Sequence, residues 1–118
     1  MPASRMTTTE TGRRAENVAA AFLQKKGCQI ISQNWRTRWC EIDVIAKRNG
    51  VLYFCEVKYR VQNRQGSGLD YITSKKLQQM RFAAEFWITQ NNWIGECQLC
   101  AIEVSGPGFK ITRVVKDL

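Results

Sequence analysis

The sequence predicts a mixed α/β (α+β) fold in which one sheet packs against two helices. Apolar residues recur at helical spacing around residues 15–23 and 77–87, whereas five other segments have the short apolar runs that are typical of strands. Their order along the chain is α-β-β-β-α-β-β. A length of 118 residues suits one domain with a substantial core. We expect residues 1–9 to form a flexible N-terminal tail and residues 10–118 to form that domain.

The first helix is followed by three predicted strands. A short strand covers residues 28–34, and two longer ones cover residues 40–47 and 51–59. Asn49-Gly50 between the longer strands is the strongest short-range signal for a hairpin, because both residues readily adopt the positive φ angles of a two-residue turn. The second and third strands should therefore be adjacent and antiparallel.

The second half of the chain contains one helix and two strands. Helical spacing covers residues 70–91, where Asp70 or Thr73 could serve as the N-cap. Residues 97–104 and 109–115 then form a second pair of strands around a Gly-Pro turn.

The charge composition excludes several classes of function. The chain has 18 Lys and Arg, 10 Asp and Glu and no His, which gives a net charge of +8. Without histidine there is no Ser-His-Asp or Cys-His triad and no His-ligated zinc. The excess of positive charge favours an anionic partner, either nucleic acid or an acidic membrane surface. No apolar run approaches a membrane span and residues 1–9 lack a secretory signal, so we expect a cytoplasmic protein that does not insert into membranes.

The cysteines favour packing over covalent or metal chemistry. Their number is odd, and they lie in segments with the pattern of buried strands: Cys28, Cys40, Cys55, Cys97 and Cys100. Cys97 and Cys100 are three residues apart on a predicted strand, so their side chains should point to opposite faces, which does not suit chelation. We expect all five to be reduced and to act as small apolar residues.

The hairpin concentrates the acidic residues. Counting outward from the two-residue turn brings Asp43 opposite Glu56 and Glu41 opposite Lys58, all on one face of the sheet. The alternation of strands places Ile42 on the other, apolar face. A three-residue loop would shift this register by one.

Two carboxylates directly across a strand pair repel each other, so Asp43 and Glu56 need either a shared proton or a divalent cation. Carboxylate ligands without histidine or thiolate favour a hard ion such as Mg²⁺ or Mn²⁺. Such an ion would activate a water and offset charge on a phosphate, while Lys58 could position that water or stabilise the phosphate. The alternative is a solvent-facing strand pair in which Glu41 and Lys58 form an ordinary ion pair.

These residues resemble a known signature. Asp43 followed by Glu56-x-Lys58 on the next strand looks like the PD-(D/E)xK nuclease motif. A longer set of residues is similar to the YraN-like family of uncharacterised bacterial proteins, which is considered similar to Holliday-junction resolvases: Thr11-Gly12, Ala15-Glu16, Asn34, residues 40–45 and 54–58, Arg60 and Lys75.

The resemblance implies a restriction-endonuclease-like αβββαβ core with a mixed central sheet. It implies that Asp43 and Glu56 hold the metal and that Lys58 is the catalytic lysine. Glu16 would be a further ligand or orienting group, and Glu41 an accessory residue.

The sequence departs from the pattern of these relatives at three places. Ile42 replaces the proline of the superfamily name, and Cys40 stands where the family usually has glycine. The family's Arg-Phe-Asp in the late strand is Gln98-Leu99-Cys100 here.

Basic and aromatic residues near the hairpin suit contact with nucleic acid, because rings stack on bases and cations bind phosphates. The candidates are Trp35, Arg36, Arg38, Arg60, Arg64 and Lys75. Each also has a plainer interpretation: the tryptophans could cover the edge of the core, and the cations could lie on a solvated surface.

We therefore expect a nucleic-acid-binding protein, with DNA favoured over RNA, that is a divalent-metal-dependent endonuclease and forms a possible homodimer. One alternative is a nucleic-acid-binding module with a degenerate nuclease fold. Another is a protein–protein adaptor whose basic surface serves a partner.

Overall fold

A five-stranded mixed sheet lies between two helices in the computed structural model, which describes residues 6–61 and 72–118. The strand order is β1-β2-β3-β4-β5, with β3 and β4 parallel and every other neighbouring pair antiparallel. In chain order the elements are α1 Thr8–Lys25, β1 Gln29–Arg36, β2 Glu41–Arg48, β3 Val51–Arg60, α2 Ser74–Asn91, β4 Glu96–Ser105 and β5 Lys110–Val115. The predicted mixed α+β class and the order of elements are confirmed.

Helix α1 begins earlier than the sequence suggested. Thr7 and Glu10 form a capping box, in which the Glu10 N–H donates to Thr7 Oγ1 (3.0 Å) and the Thr7 N–H donates to Glu10 Oε1 (2.9 Å). The helix therefore takes in Thr8 and Thr9, which belong to the segment expected to be a tail. It ends at Lys25, and Gly27 follows with a φ of 93°, as is common after a helix C-terminus.

The hairpin of β2 and β3 turns at Asn49 and Gly50, whose φ angles are 51° and 79°. Both angles are positive, as a two-residue type I′ hairpin turn requires. The pairs run from Arg48↔Val51 to Val44↔Cys55 in the predicted register.

Each face of the sheet has its own core. On one face, α1 contributes Ala15, Ala19 and Leu23 to a cluster that includes Val44 and Cys55. On the other face, Trp87 of α2 packs edge-on against Phe54 of β3, with 5.8 Å between ring centroids, and the cluster extends to Ile45. Adjacent residues of β2 and β3 therefore belong to different cores, as strand alternation requires.

Helix α2 provides the crossover that the parallel strands β3 and β4 need. Its N-cap is Thr73, whose Oγ1 accepts from the Lys76 N–H (3.1 Å), and it ends at Asn92 with a φ of 53°. Asp70, the other N-cap candidate, lies outside the described residues. Within residues 6–61 and 72–118 we find no helix with the length and hydropathy needed to cross a bilayer.

All five cysteines are free thiols. Cys97 is exposed whereas Cys100 is buried, so the two do point to opposite faces of β4. Cys100 pairs in register with Cys55 and belongs to the core on the α1 face.

Candidate acidic site

The open end of the β2–β3 hairpin carries the candidate site. The described backbone pairing stops at Val44↔Cys55. One residue further, the Val57 N–H donates to Asp43 Oδ2 (2.8 Å), so a side chain takes the place of a backbone acceptor. The side chain of Asp43 therefore points toward β3 and does not project from one face of the sheet.

The face of the sheet predicted for Ile42 is wrong. Ile42 packs with Ile45 and Phe54 on the α2 side, where simple alternation would put it on the α1 side. The irregularity coincides with Asn34 of β1, which lies across from Asp43 and has a φ of 53°. A left-handed residue bends its strand and changes the direction of neighbouring side chains.

Four carboxylates surround this irregularity and act on one another. The pKa of Asp43 is raised to about 7, first by burial and then by the negative charge of Glu56. Glu16 and Glu41 raise it further, while the hydrogen bond from the Val57 N–H lowers it. Asp43 is therefore the carboxyl of the cluster that most needs a proton or a cation near neutral pH.

Glu16 reaches the cluster from α1. It is partly buried and directly follows Ala15, which anchors this turn of the helix in the core. Burial raises the pKa of Glu16, and a hydrogen bond with Asp43 lowers it. The two carboxyls therefore act on each other, since the negative charge of Glu16 in turn raises the pKa of Asp43.

Glu56 connects the cluster to a cleft beside α2. Lys76 Nζ lies 3.1 Å from Glu56 Oε2, and both side chains are partly buried. The cleft has a volume of about 510 Å³, and its charged lining residues are Glu41, Glu56, Lys75 and Lys76. The sequence pattern did not indicate the pair of Lys76 and Glu56. Only the docking of α2 on the sheet determines that contact.

The site offers few ligands of its own to a metal ion. Among residues 6–61 and 72–118, no three Asp, Glu, Cys or His side chains form a group that could hold one. A cation here would depend on one or two carboxylates together with water and substrate oxygens, which is the usual arrangement for Mg²⁺ at phosphates.

Comparison with known proteins assigns the family. The chain matches the uncharacterised protein family UPF0102 over residues 15–105. This chain belongs to the UPF0102 family. It is 39% identical over 97 residues to a UPF0102 protein of Neisseria meningitidis serogroup C (strain 053442), covering 80% of this chain and 84% of that protein.

Two further relatives come from other bacteria. A UPF0102 protein of Chlorobium chlorochromatii is 39% identical over 107 residues, covering 91% of this chain and 83% of the relative. One from Cytophaga hutchinsonii is 38% identical over 97 residues, covering 82% and 86% respectively. The predicted YraN-like family is therefore confirmed, and the UPF0102 match spans the whole acidic cluster.

Two residues of the candidate site have neighbours that the hairpin register did not indicate. Glu41 lies opposite Arg36 of β1, with 3.4 Å between Arg36 Nε and Glu41 Oε2, and both side chains are exposed. Lys58 is exposed and lines a separate cleft of about 620 Å³ that also contains Thr8 and Thr11 of α1. Lys58 follows Glu56 by two residues on β3, so it stands beside the cluster at the same end of the strand.

The nucleic-acid candidates are distributed around the site. Trp35 is half-buried, with its ring 6.0 Å from that of Phe86, and the Arg38 guanidinium lies 5.5 Å from the centroid of the Trp39 ring. Lys75 is exposed in the cleft. Arg64 lies outside the described residues.

Arg60 belongs to a buried network that sequence reasoning missed. Glu103 of β4 is only 1% exposed, and Arg60 Nε lies 2.8 Å from its Oε2 as an ion pair without the alignment of a hydrogen bond. Thr112 Oγ1 donates to Glu103 Oε1 (2.8 Å), and it lies 2.9 Å from Ser105 Oγ. A single acid inside the apolar run at 97–104 was the only signal in the sequence, and it did not indicate a partner.

Proposed function

We propose that this UPF0102 protein binds DNA and hydrolyses its phosphodiester bonds with a divalent cation, Mg²⁺ or Mn²⁺. The observation that carries the proposal is the environment of Asp43. The negative charges of Glu56, Glu16 and Glu41 raise its pKa, while the hydrogen bond from the Val57 N–H lowers it. A fold gains nothing from such crowding, whereas a cation site requires it.

The donor set fits a hard cation. Asp43 and Glu56 would supply carboxylate oxygens, which favour a hard ion, and the chain has no histidine that would favour zinc. Mg²⁺ is commonly bound through one or two carboxylates and completes its shell with water and substrate phosphate. When bound, it would lower the pKa of a coordinated water and offset charge on the phosphate.

The residues of the chain would prepare the site in distinct ways. Asp43, whose pKa is raised to about 7 in part by the charge of Glu16, would hold a proton in the metal-free site and release it as a cation binds. Glu56 is balanced by Lys76, which would be free to turn to a phosphate once a cation replaces it. Lys58 would hold the attacking water or the scissile phosphate.

The architecture supports the same interpretation. One helix, a three-stranded antiparallel meander, a crossover helix and a parallel strand reproduce the order of the αβββαβ core that the PD-(D/E)xK resemblance implies. The net charge of +8 suits a polyanionic substrate drawn to a local group of carboxylates. We therefore also propose the restriction-endonuclease-like fold for this family member.

The test is a cleavage assay on linear, flapped and four-way DNA and on RNA, with Mg²⁺, Mn²⁺ or chelator. We expect cleavage only with metal, and a loss of about a thousandfold in Asp43→Ala and of about a hundredfold in Lys58→Ala. Glu96→Ala, which removes an exposed acid at the other end of β4, is the matched control and should cleave like the wild type.

Two results would contradict the proposed nuclease activity. Salt-sensitive DNA binding that survives Asp43→Ala and Lys58→Ala, without cleavage of any substrate, would identify a binding module with a degenerate site. The absence of both binding and cleavage would favour a protein–protein adaptor.

A further inference from the structure

An exposed group of aromatic rings borders the cleft beside α2. Trp39, on the loop before β2, is 66% exposed, and Phe82 of α2 is 50% exposed. Both line the same cleft of about 510 Å³ that contains Glu56. We call Trp39, Phe82 and the half-buried Phe86 the aromatic ledge.

The ledge is supported from below. The Phe86 ring lies 5.8 Å from that of Trp39 and 6.1 Å from that of Phe82, in tilted contacts. Phe86 also contacts Trp35, which packs against the core on the α2 face. The two outer rings are therefore fixed to the domain although their outer surfaces are open to solvent.

The loop that carries Trp39 is held by its own hydrogen bonds. Thr37 Oγ1 accepts from the N–H groups of Trp39 (3.0 Å) and Cys40 (3.1 Å), and the Thr37 N–H donates to the Cys40 carbonyl (2.8 Å). These hydrogen bonds hold the backbone that presents the indole. A contiguous group of exposed apolar rings rimmed by polar residues is typical of a binding surface.

Positive charge lies beside the ledge in the same cleft. Lys75 and Lys76 stand in the first turn of α2, where free backbone N–H groups also attract anions. The Arg38 guanidinium lies 5.5 Å from the Trp39 ring. Rings and cations next to a group of carboxylates match one nucleotide, with its base on the ledge and its phosphate toward Lys75.

We propose that the cleft receives an unpaired nucleotide, so that the substrate is DNA with a single-stranded or extrahelical residue next to the cut. This inference rests on the proposed nuclease function and names its substrate class. Bases within a duplex are stacked on both faces and cannot lie on Trp39, whereas an unpaired base can. A cleft of about 510 Å³ is within the size range that holds a ligand as large as a nucleotide.

The test measures binding in chelator, where no cleavage occurs. Fluorescently labelled oligothymidine, blunt duplex and the same duplex with one extrahelical thymidine are titrated at fixed salt, with anisotropy as the readout. We expect the two probes with unpaired nucleotides to bind about tenfold more tightly than blunt duplex, and to quench tryptophan fluorescence.

Variants separate stacking from charge. Trp39→Ala should lose about tenfold for the two unpaired probes and almost nothing for blunt duplex, and Trp39→Phe should restore most of the loss. Lys75→Ala should weaken all three probes alike, because it removes a phosphate contact. Ile94→Ala, at a residue that is 99% exposed beyond α2, is the control and should leave all three affinities unchanged.

The outcomes distinguish this inference from the proposed function. Equal affinity for blunt and unpaired probes, unaffected by Trp39→Ala, would overturn it even if the protein cleaves DNA. The expected preference without metal-dependent cleavage would support the nucleotide cleft and contradict the nuclease. A homodimer in the wild type that becomes monomeric in Trp39→Ala, measured by light scattering at matched concentration, would assign the ledge to self-association and overturn the inference.

Discussion

Two acidic side chains of the central sheet, Glu103 on β4 and Asp43 on β2, have opposite surroundings. Glu103 is the more deeply buried, and it has an arginine on one oxygen and a threonine hydroxyl on the other. Asp43 is less buried, yet its neighbours are carboxylates and one N–H group. Burial alone therefore does not distinguish these two acids. The charge of the partners does.

The two acids should affect the stability of the fold in opposite ways. The cation beside Glu103 offsets the cost of removing its charge from water, so removing either partner should destabilise the fold. Asp43 gains no such compensation, and its raised pKa means that the folded protein resists its ionisation. A proton or a cation that binds to Asp43 removes this unfavourable charge, so its binding stabilises the folded protein.

The largest expected effect is on stability at Glu103. Glu103→Ala should lower the free energy of unfolding by about 3 kcal/mol, because it leaves Arg60 half-buried without its carboxylate. Asp43→Ala should leave that free energy unchanged or raise it in chelator. Urea denaturation followed by circular dichroism measures both, and Thr112→Val, which removes one hydroxyl, should cost about 1 kcal/mol. If Glu103→Ala lowered the free energy of unfolding by less than about 0.5 kcal/mol, the proposed contrast between Glu103 and Asp43 would be wrong.

The hairpin illustrates how far the sequence predicts this site. Its closed end follows local rules: Asn49-Gly50 specifies the turn, and alternation along two strands then determines the pairs as far as Val44↔Cys55. Its open end does not. The left-handed backbone of Asn34 on a third strand coincides with the altered direction of Ile42. No rule within the hairpin contains that information.

The remaining members of the site depend on tertiary packing. Glu16 meets Asp43 because α1 lies across that end of the sheet, and the motif indicated Glu16 only through resemblance. Lys76 contacts Glu56 because of where the first turn of α2 docks, and helical spacing alone does not distinguish it from Lys75. Local pattern therefore predicted the elements and the acids, whereas their partners required the fold.

The pH dependence of stability should differ between wild type and Asp43→Asn. The pKa of Asp43 is about 7 in the folded protein against 3.8 for the ordinary carboxyl, so between these values the folded state holds a proton that the unfolded state has lost. Stability of the wild type in chelator should therefore fall as the pH rises through that window and level off above it.

Asparagine keeps an acceptor for the Val57 N–H but carries no charge. Asp43→Asn should therefore melt within about a degree of the wild type near pH 4 and several degrees above it near pH 8. Glu103→Gln is the control, since it should not reproduce that gain at high pH. Equal melting temperatures of Asp43→Asn and wild type at both pH values would show that the carboxylates do not repel one another.

The smallest expected effect is stabilisation by the metal itself. At tenfold its dissociation constant, Mg²⁺ or Mn²⁺ should stabilise the wild type by about 1.4 kcal/mol. It should leave Asp43→Asn unchanged, because the variant lacks one of two carboxylate ligands. Binding displaces the proton that Asp43 holds below about pH 7, so the stabilisation should be larger near pH 8 than near pH 6. Thermal melts over a metal titration at both pH values measure this effect.

Ca²⁺ serves as a size control, because the flexible coordination of Ca²⁺ needs more oxygens than two carboxylates provide. A wild type that gains nothing from Mg²⁺ or Mn²⁺ near pH 8 would leave the proton as the only group that relieves Asp43. The two acids would then differ in their partners but not in their function.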